Sequence, residues 1–271
     1  MPEGHTIHRL ARELRRDLRG RTLEVSSPQG RFAHGAEVLD GAALAKAWAH
    51  GKHLFLELDP PEAPPERLHI HLGLFGKFRR RATPAPEPYG AVRLRFAGPE
   101  WTWDLSGPTA CELLDDDGRD RILARLGPDP LRPRTDPEPF ISAVTRSKRS
   151  IGVLLMDQSV IAGVGNVYRS ELCFRHGIDP RRRGVDLDRD TVAAMWDDTV
   201  ALLTVGVRLG RIVTVDPDDP CLETPRTTMA KLPRADRLYV YRRQHCRRCD
   251  APVEWFELAN RRVYACPVEQ H

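Results

Sequence analysis

Three of the six cysteines of this 271-residue chain fall within its last 26 residues, and that grouping constrains the fold more than any other feature. Cys246-Arg247-Arg248-Cys249 is a CxxC pair, and Cys266 follows after sixteen intervening residues. Two knuckles joined by a β-hairpin is the layout of a structural zinc site, which takes four soft or borderline ligands in a tetrahedron. A tail of roughly 30 residues buries too little surface to fold by itself, so bound metal would supply the missing folding free energy. A second CxxC would need cysteine at position 269, where the chain has Glu269. His271, two residues on, can complete a Cys3His set because imidazole suits zinc, and it is favoured over Glu269. One structural zinc and no organic cofactor is the expectation. The remaining cysteines are Cys111, Cys173 and Cys221, and with no hydrophobic leader in MPEGHTIHRL a disulfide framework is the poorer reading.

Upstream of the tail the hydrophobic period changes. Thr6 to Leu18 reads as an amphipathic helix with Ile7, Leu10, Ala11, Leu14 and Leu18 on one face, Thr6 as cap and Gly20 as stop. From there to about Leu114 the pattern alternates with period two, at Leu54 to Leu58, Leu68 to Leu72, Val92 to Phe96 and Trp101 to Leu105, separated by Pro- and Gly-rich turns. The segment Gly127 to Pro139 is rich in proline and charge and reads as a linker. Helical periodicity follows at Pro139 to Thr145, Ile151 to Met156, Val167 to Arg175 and Asp190 to Leu209, and short strands return from Leu238. The expected fold is a multidomain α+β chain. Residues 1–125 form a β-sandwich with a flanking helix, 126–138 a linker, 139–235 a helical domain and 236–271 the zinc-binding hairpin.

Charge narrows the partner. The formal net charge is only +4, but ten Lys or Arg stand against four acids between Arg226 and Arg262. Shorter basic clusters lie at Lys77 to Arg81, Arg146 to Arg149 and Arg181 to Arg183. Each short cluster alone suits a solvated face, whereas the C-terminal block suits a polyanion held by counterion release. No apolar run approaches the roughly 18 residues of a membrane helix. In Asp157 to Glu171, DQSVIAGVGNVYRSE, Gly163 and Gly165 bracket a tight turn and Asn166 opens the next helix. Such a helix start presents free N–H groups to a phosphate. On spacing alone, an ordinary glycine-rich helix–helix turn with Asn166 as N-cap is the better reading.

The N-terminus adds chemistry. Loss of Met1 would leave Pro2 as a secondary amine with a pKa of roughly 7.7 to 8.0, basic enough to attack and unprotonated often enough to do so. Glu3 beside it can shuttle protons. MPEG at the start, GKHLFL around Lys52, DQSVIAGVGNVYRSE and the closing VYRRQHCRRC…RRVYACPVEQH occur in one order along nearly the whole chain. Together they resemble the formamidopyrimidine-DNA glycosylase and endonuclease VIII family. The resemblance implies a bifunctional glycosylase and abasic-site lyase of base excision repair, acting on damaged DNA as a monomer near the nucleoid in the cytoplasm. It casts Pro2 as nucleophile, Glu3 as proton donor and Lys52 as the lysine of the GKH strand motif, opening a strand and sharing parity with Leu54 and Leu56. Asn166 becomes a phosphate ligand of a helix–two-turn–helix motif, and Arg261, five residues before Cys266, the hairpin arginine beside the flipped nucleotide. The loop His71 to Gly76 takes the wedge position, with Leu74 inserted and Phe75 stacking, unless both are hairpin core.

Three departures lean toward the endonuclease VIII branch and hence oxidised pyrimidines: the start PEGHT, Gly152 after Ile151 in place of a lysine, and no paired arginines in Asp104 to Ala110. Gly73, where that branch has glutamine, keeps the lesion open. An 8-oxoguanine-type glycosylase, a lyase for abasic sites and a DNA-binding module without chemistry are the alternatives.

Overall fold

The computed structural model describes residues 2–216, 219 and 229–271; Met1, Cys221 and Arg226, which entered the sequence argument, lie outside them. The chain divides between Arg125 and Leu126 into two compact units.

The first unit opens with helix α1 (Gly4–Leu18), whose apolar face is the one its periodicity marks: Ile7, Leu10, Ala11, Leu14 and Leu18 are all buried. The helix starts two residues earlier than expected, and Thr6 is not its cap. The Thr6 amide donates to the Glu3 carbonyl at 2.9 Å, which puts Glu3 at the N-cap position. Strand β1 (Glu24–Ser26), helix α2 (Ala33–Leu39) and strands β2 (Ala43–His50), β3 (His53–Asp59), β4 (Glu66–His71), β5 (Lys77–Ala82), β6 (Val92–Ala97), β7 (Trp101–Ser106) and β8 (Ala110–Leu113) follow, then helix α3 (Asp116–Leu123). Helices α2 and α3 escape a periodicity reading because each has about two turns, too few to separate from chance.

The strands form two antiparallel four-stranded sheets, ordered β2-β3-β4-β8 and β1-β6-β7-β5. Alternation decides their faces. Leu54, Leu56, Leu58, Leu68 and Ile70 of one sheet and Leu94, Phe96, Trp103 and Leu105 of the other share one apolar core with α1. This is the β-sandwich with flanking helix that the sequence predicts. Asp17 ties α1 to the second sheet, accepting from Arg80 Nε at 2.5 Å and Trp103 Nε1 at 3.1 Å.

The second unit carries helices α4 (Glu138–Thr145), α5 (Ile151–Leu154), α6 (Asn166–Arg175) and α7 (Arg189–Leu209) and the hairpin β9 (Glu254–Leu258) with β10 (Arg261–Ala265). Asp188 caps α7 by accepting from the Thr191 amide at 2.8 Å, and Gly210 ends it in the left-handed conformation. The residues read as a linker pack into this unit: Gly127 donates to the Gln158 carbonyl at 2.8 Å and Ala162 to that of Pro128 at 3.0 Å. The tail shares its core with the helices, since Phe174 of α6 packs in one cluster with Val213, Val215, Tyr239, Val240, Cys246 and Cys266. No helix among the described residues is long and apolar enough to cross a membrane.

Candidate functional site

In the first unit the functional candidates gather at one end because α1 and β2 run antiparallel. Gly20, past the helix end, donates to the Leu44 carbonyl at 2.9 Å, and Arg15, a turn earlier, donates to that of Ala47 farther along the strand. The start of α1, with half-buried Pro2 and fully buried Glu3, therefore projects toward the same end as the β2–β3 turn. Lys52 sits in that turn. The expectation that it opens the strand in parity with Leu54 and Leu56 is corrected: β3 begins at His53, which pairs with His50, and Gly51-Lys52 is the two-residue connection. Gly51 takes a φ of 56°, and the turn, not strand parity, keeps Lys52 half-exposed instead of in the core.

Around the turn lies a group of histidines that the sequence reading passed over. On the face of the first sheet opposite its leucine core, His53 Nδ1 lies 2.9 Å from His69 Nε2, and His69 Nδ1 lies 2.9 Å from Glu112 Oε1. His53 and His71 rings are 4.8 Å apart. Burial pushes His53 down to about 3, helped by the neighbouring His71, His69, Arg125 and His50. Burial likewise lowers His71, whose ring also feels His69 and Lys52. The signal was the alternation His53, His69, His71 within strands, but only sheet register puts His69 opposite both Phe55 and Glu112.

The loop from β4 to β5 holds the wedge candidates. Leu72 is buried, but Leu74 is 43% exposed and Phe75 84%, so neither of the last two is hairpin core. Gly76 donates to the Leu72 carbonyl at 3.0 Å, closing the turn. Gly73 has a φ of 64°, and a Cβ there would lie 1.9 Å from Thr109 Oγ1. That contact and the left-handed backbone account for glycine in place of glutamine.

In the second unit Gly165, not Asn166, is the N-cap of α6, and Asn166 is its first helical residue. Its side chain is engaged: Nδ2 donates to the Arg262 carbonyl at 2.9 Å, and Oδ1 accepts from Arg169. Arg169 is fully buried and also donates to the carbonyls of Gly152 (3.3 Å), Leu258 (2.9 Å) and Arg261 (3.4 Å). The tip of the β9–β10 hairpin is thus fastened to the start of α6, with Ala259 and Asn260 at φ of 53° and 55° making the turn. Arg261 is half-buried at this tip, while Arg262 is exposed with its guanidinium 4.2 Å from the Trp255 ring centroid. A Cβ added to Gly152 would meet Leu258 Cδ2 at 2.7 Å and the Pro180 carbonyl at 2.9 Å, so no lysine fits there. Glu171 is equally hidden from a pattern reading. Its carboxylate accepts from the amides of Tyr239 (2.8 Å), Val240 (2.9 Å) and Tyr241 (2.8 Å) and from Thr214 Oγ1.

Cys246, Cys249 and Cys266 bring their sulfurs within 4.8 Å of one another, with Cys249 and Cys266 at 3.4 Å. Zinc–sulfur bonds of about 2.3 Å in a tetrahedron separate sulfurs by roughly 3.8 Å, so the donor set fits the ion. His271 is not part of the cluster. Its amide donates to the Gly177 carbonyl at 3.0 Å, its carbonyl accepts from Asp179 at 3.2 Å, and the residue is exposed. Glu269 pairs with Arg248 at 3.3 Å, and Gln270 Oε1 takes the Cys266 amide at 2.7 Å.

Comparison with known proteins agrees with this layout. Residues 1–106 match the formamidopyrimidine-DNA glycosylase N-terminal domain, and residues 126–217 the formamidopyrimidine-DNA glycosylase H2TH domain. Over all of both chains, 48% of residues are identical to Endonuclease 8 1 of Mycobacterium tuberculosis. The chain belongs to the formamidopyrimidine-DNA glycosylase and endonuclease VIII family, in its endonuclease VIII branch. Endonuclease 8 2 of Mycobacterium bovis is 31% identical, again over the full length of both chains. Lactococcus lactis Fpg, solved with DNA containing an abasic site, shares the fold with a TM-score of 0.79 over 99% of both chains at 22% identity.

Proposed function

We propose that this endonuclease VIII-branch protein binds damaged duplex DNA, removes oxidised bases, pyrimidines foremost, and cuts the strand through a Schiff base on Pro2. The observation that carries the reading is the end of the first unit where Pro2 and Glu3 start α1 and the Lys52 turn projects the same way. With Met1 removed, the Pro2 nitrogen attacks C1′ of the deoxyribose and Glu3 supplies the proton that opens the sugar. The base leaves, an iminium forms, and successive β- and δ-eliminations break the two phosphate bonds. Lys52 supports this centre. Exposed Leu74 fills the gap of the extruded nucleotide with Phe75 stacking beside it, a role supported by their exposure on a tight loop. The α6 start and Arg261 hold the phosphates. Here Asn166 acts chiefly by aiming the hairpin, because its amide is engaged at the tip.

The relatives called Endonuclease 8 support the pyrimidine preference, as does the steric exclusion of a side chain at Gly152. Zinc would be held by Cys246, Cys249 and Cys266. It would supply folding free energy and no chemistry. The test is borohydride trapping on duplexes carrying thymine glycol, dihydrouracil, 8-oxoguanine or an abasic site. A covalent adduct lost in Pro2→Gly, strongest on the two pyrimidine lesions, is expected. Preference for 8-oxoguanine would move the protein to the formamidopyrimidine branch, adducts on the abasic site alone would make it a lyase, and none at all would leave a binding module.

A further inference from the structure

Alternation gives the β9–β10 hairpin two unlike faces. Phe256, Val263 and Ala265 share one; Val263 and Ala265 are buried there, and the Arg181 guanidinium lies 4.2 Å from the Phe256 ring centroid. Arg261, read above as a phosphate contact, has the same parity. Trp255, Glu257, Arg262 and Tyr264 share the other face, which is therefore a separate surface. Trp255 is 54% exposed, and of the five tryptophans in the chain it is the one on the surface. Its diagonal neighbour Arg262 holds a guanidinium 4.2 Å from the indole centroid. Directly across the register from Trp255 is Tyr264, whose ring meets that of Tyr241 edge-on at 5.1 Å. Exposed Arg242 ends the row, its guanidinium 5.6 Å from the Tyr241 ring. The order is cation, three rings, cation, with Glu257 the acid on the same hairpin face, opposite Arg262.

A lone exposed tryptophan would carry no such meaning, but a row of rings closed at both ends by arginines selects a ligand. Its rings offer flat apolar faces, and its guanidinium groups offer paired donors to phosphate. Duplex DNA keeps its base faces stacked on one another, so it could use the cations and leave the rings idle. An unpaired strand carries one free base face and one phosphate at every nucleotide, which matches a surface where rings and cations lie side by side. We propose that this face of the hairpin is a subsite for single-stranded DNA. Bases stack on Trp255 and on the Arg262 guanidinium, and Arg262 and Arg242 meet the phosphates. Half-buried Tyr264 and Tyr241 continue the stacking surface between them. Every base has a π-face, so the subsite takes undamaged nucleotides of any sequence, and it stands apart from the chemistry assigned to Pro2.

The probe is an undamaged, dye-labelled oligothymidylate, titrated against the full chain by fluorescence anisotropy. Trp255→Ala is expected to weaken its binding about tenfold, within the range of one lost base–aromatic stack, and Trp255→Phe to recover most of it. Quenching of intrinsic tryptophan fluorescence by the unlabelled strand should vanish in Trp255→Ala. Arg242→Gln and Arg262→Gln should each lower the slope of log Kd against log salt by about 0.7, the effect of one phosphate contact to a single strand. Binding of an abasic duplex by these variants should stay near the wild-type value. If Trp255→Ala melts well below the wild type, the salt slopes of the two arginine variants decide alone. Wild-type affinity for oligothymidylate in a folded Trp255→Ala, unchanged salt slopes, or an equal loss on the duplex overturns the proposal. So does a peptide of alternating Asp and Phe that binds through Trp255 more tightly than oligothymidylate, which would make the face a protein-docking surface.

Discussion

At the scale of single residues, two buried charges on α6 do the most to define the second unit. Glu171 gathers three consecutive backbone amides, those of Tyr239, Val240 and Tyr241, at the point where the chain enters the cysteine tail. A carboxylate that accepts from several donors repays its desolvation; an amide in its place turns an N–H2 toward N–H donors. Glu171→Gln should therefore destabilise the protein by about 3 kcal/mol, the scale of a broken buried charge network, read as a lower urea midpoint with an unchanged m-value. Arg169 performs the complementary task with the carbonyl of Gly152 in α5 and those of Leu258 and Arg261 at the hairpin tip. Neither residue stood out in DQSVIAGVGNVYRSE, because one charge per helical turn usually marks a solvated face. Here all of Asn166 to Phe174 is buried, and only the packed structure reveals that.

At the scale of elements, α1 positions Pro2, so its anchoring to the second sheet matters for the proposed chemistry. The anchor is Asp17, whose side chain is 1% exposed. Burial works against its charge, yet the hydrogen bonds from Arg80 and Arg16 outweigh that and hold the carboxyl below the ordinary carboxylate range. A carboxyl depressed in the folded state contributes stability above its unfolded pKa, and that contribution is lost as pH falls through the folded value. Asp17→Asn should lower stability by about 3 kcal/mol at neutral pH. The variant and wild-type stability curves should converge as the pH drops below about 4, where the unfolded carboxyl also protonates. Denaturant melts at several pH values would show it, and a gap between the curves independent of pH would refute the assignment. The same helix shows what sequence resolves well. Its apolar face was legible from spacing alone, while its first residue was not, because Thr6 has the chemistry of a cap without the backbone of one.

At the scale of the whole molecule, the tail is part of the second unit's core, since Phe174 of α6 packs in one cluster with Cys246 and Cys266. Metal loss should therefore reach the helices. Chelation, or Cys266→Ser, is expected to remove one zinc per chain and lower the melting temperature by several degrees, with loss of DNA binding. An unchanged melt after zinc removal would show that the hairpin stands without the ion. His271→Ala measured beside Glu269→Ala would identify the fourth donor. The sequence by itself determined the kind of fold, the three cysteines and the polar end of α1, because period, spacing and residue chemistry are local properties. It did not determine that Lys52 rides a turn, that Asn166 spends its amide on the hairpin, or that His53, His69 and Glu112 form one chain. Those depend on strand register and on which buried charge finds which partner, and residues 43 positions apart, such as His69 and Glu112, meet only when the sheet has closed.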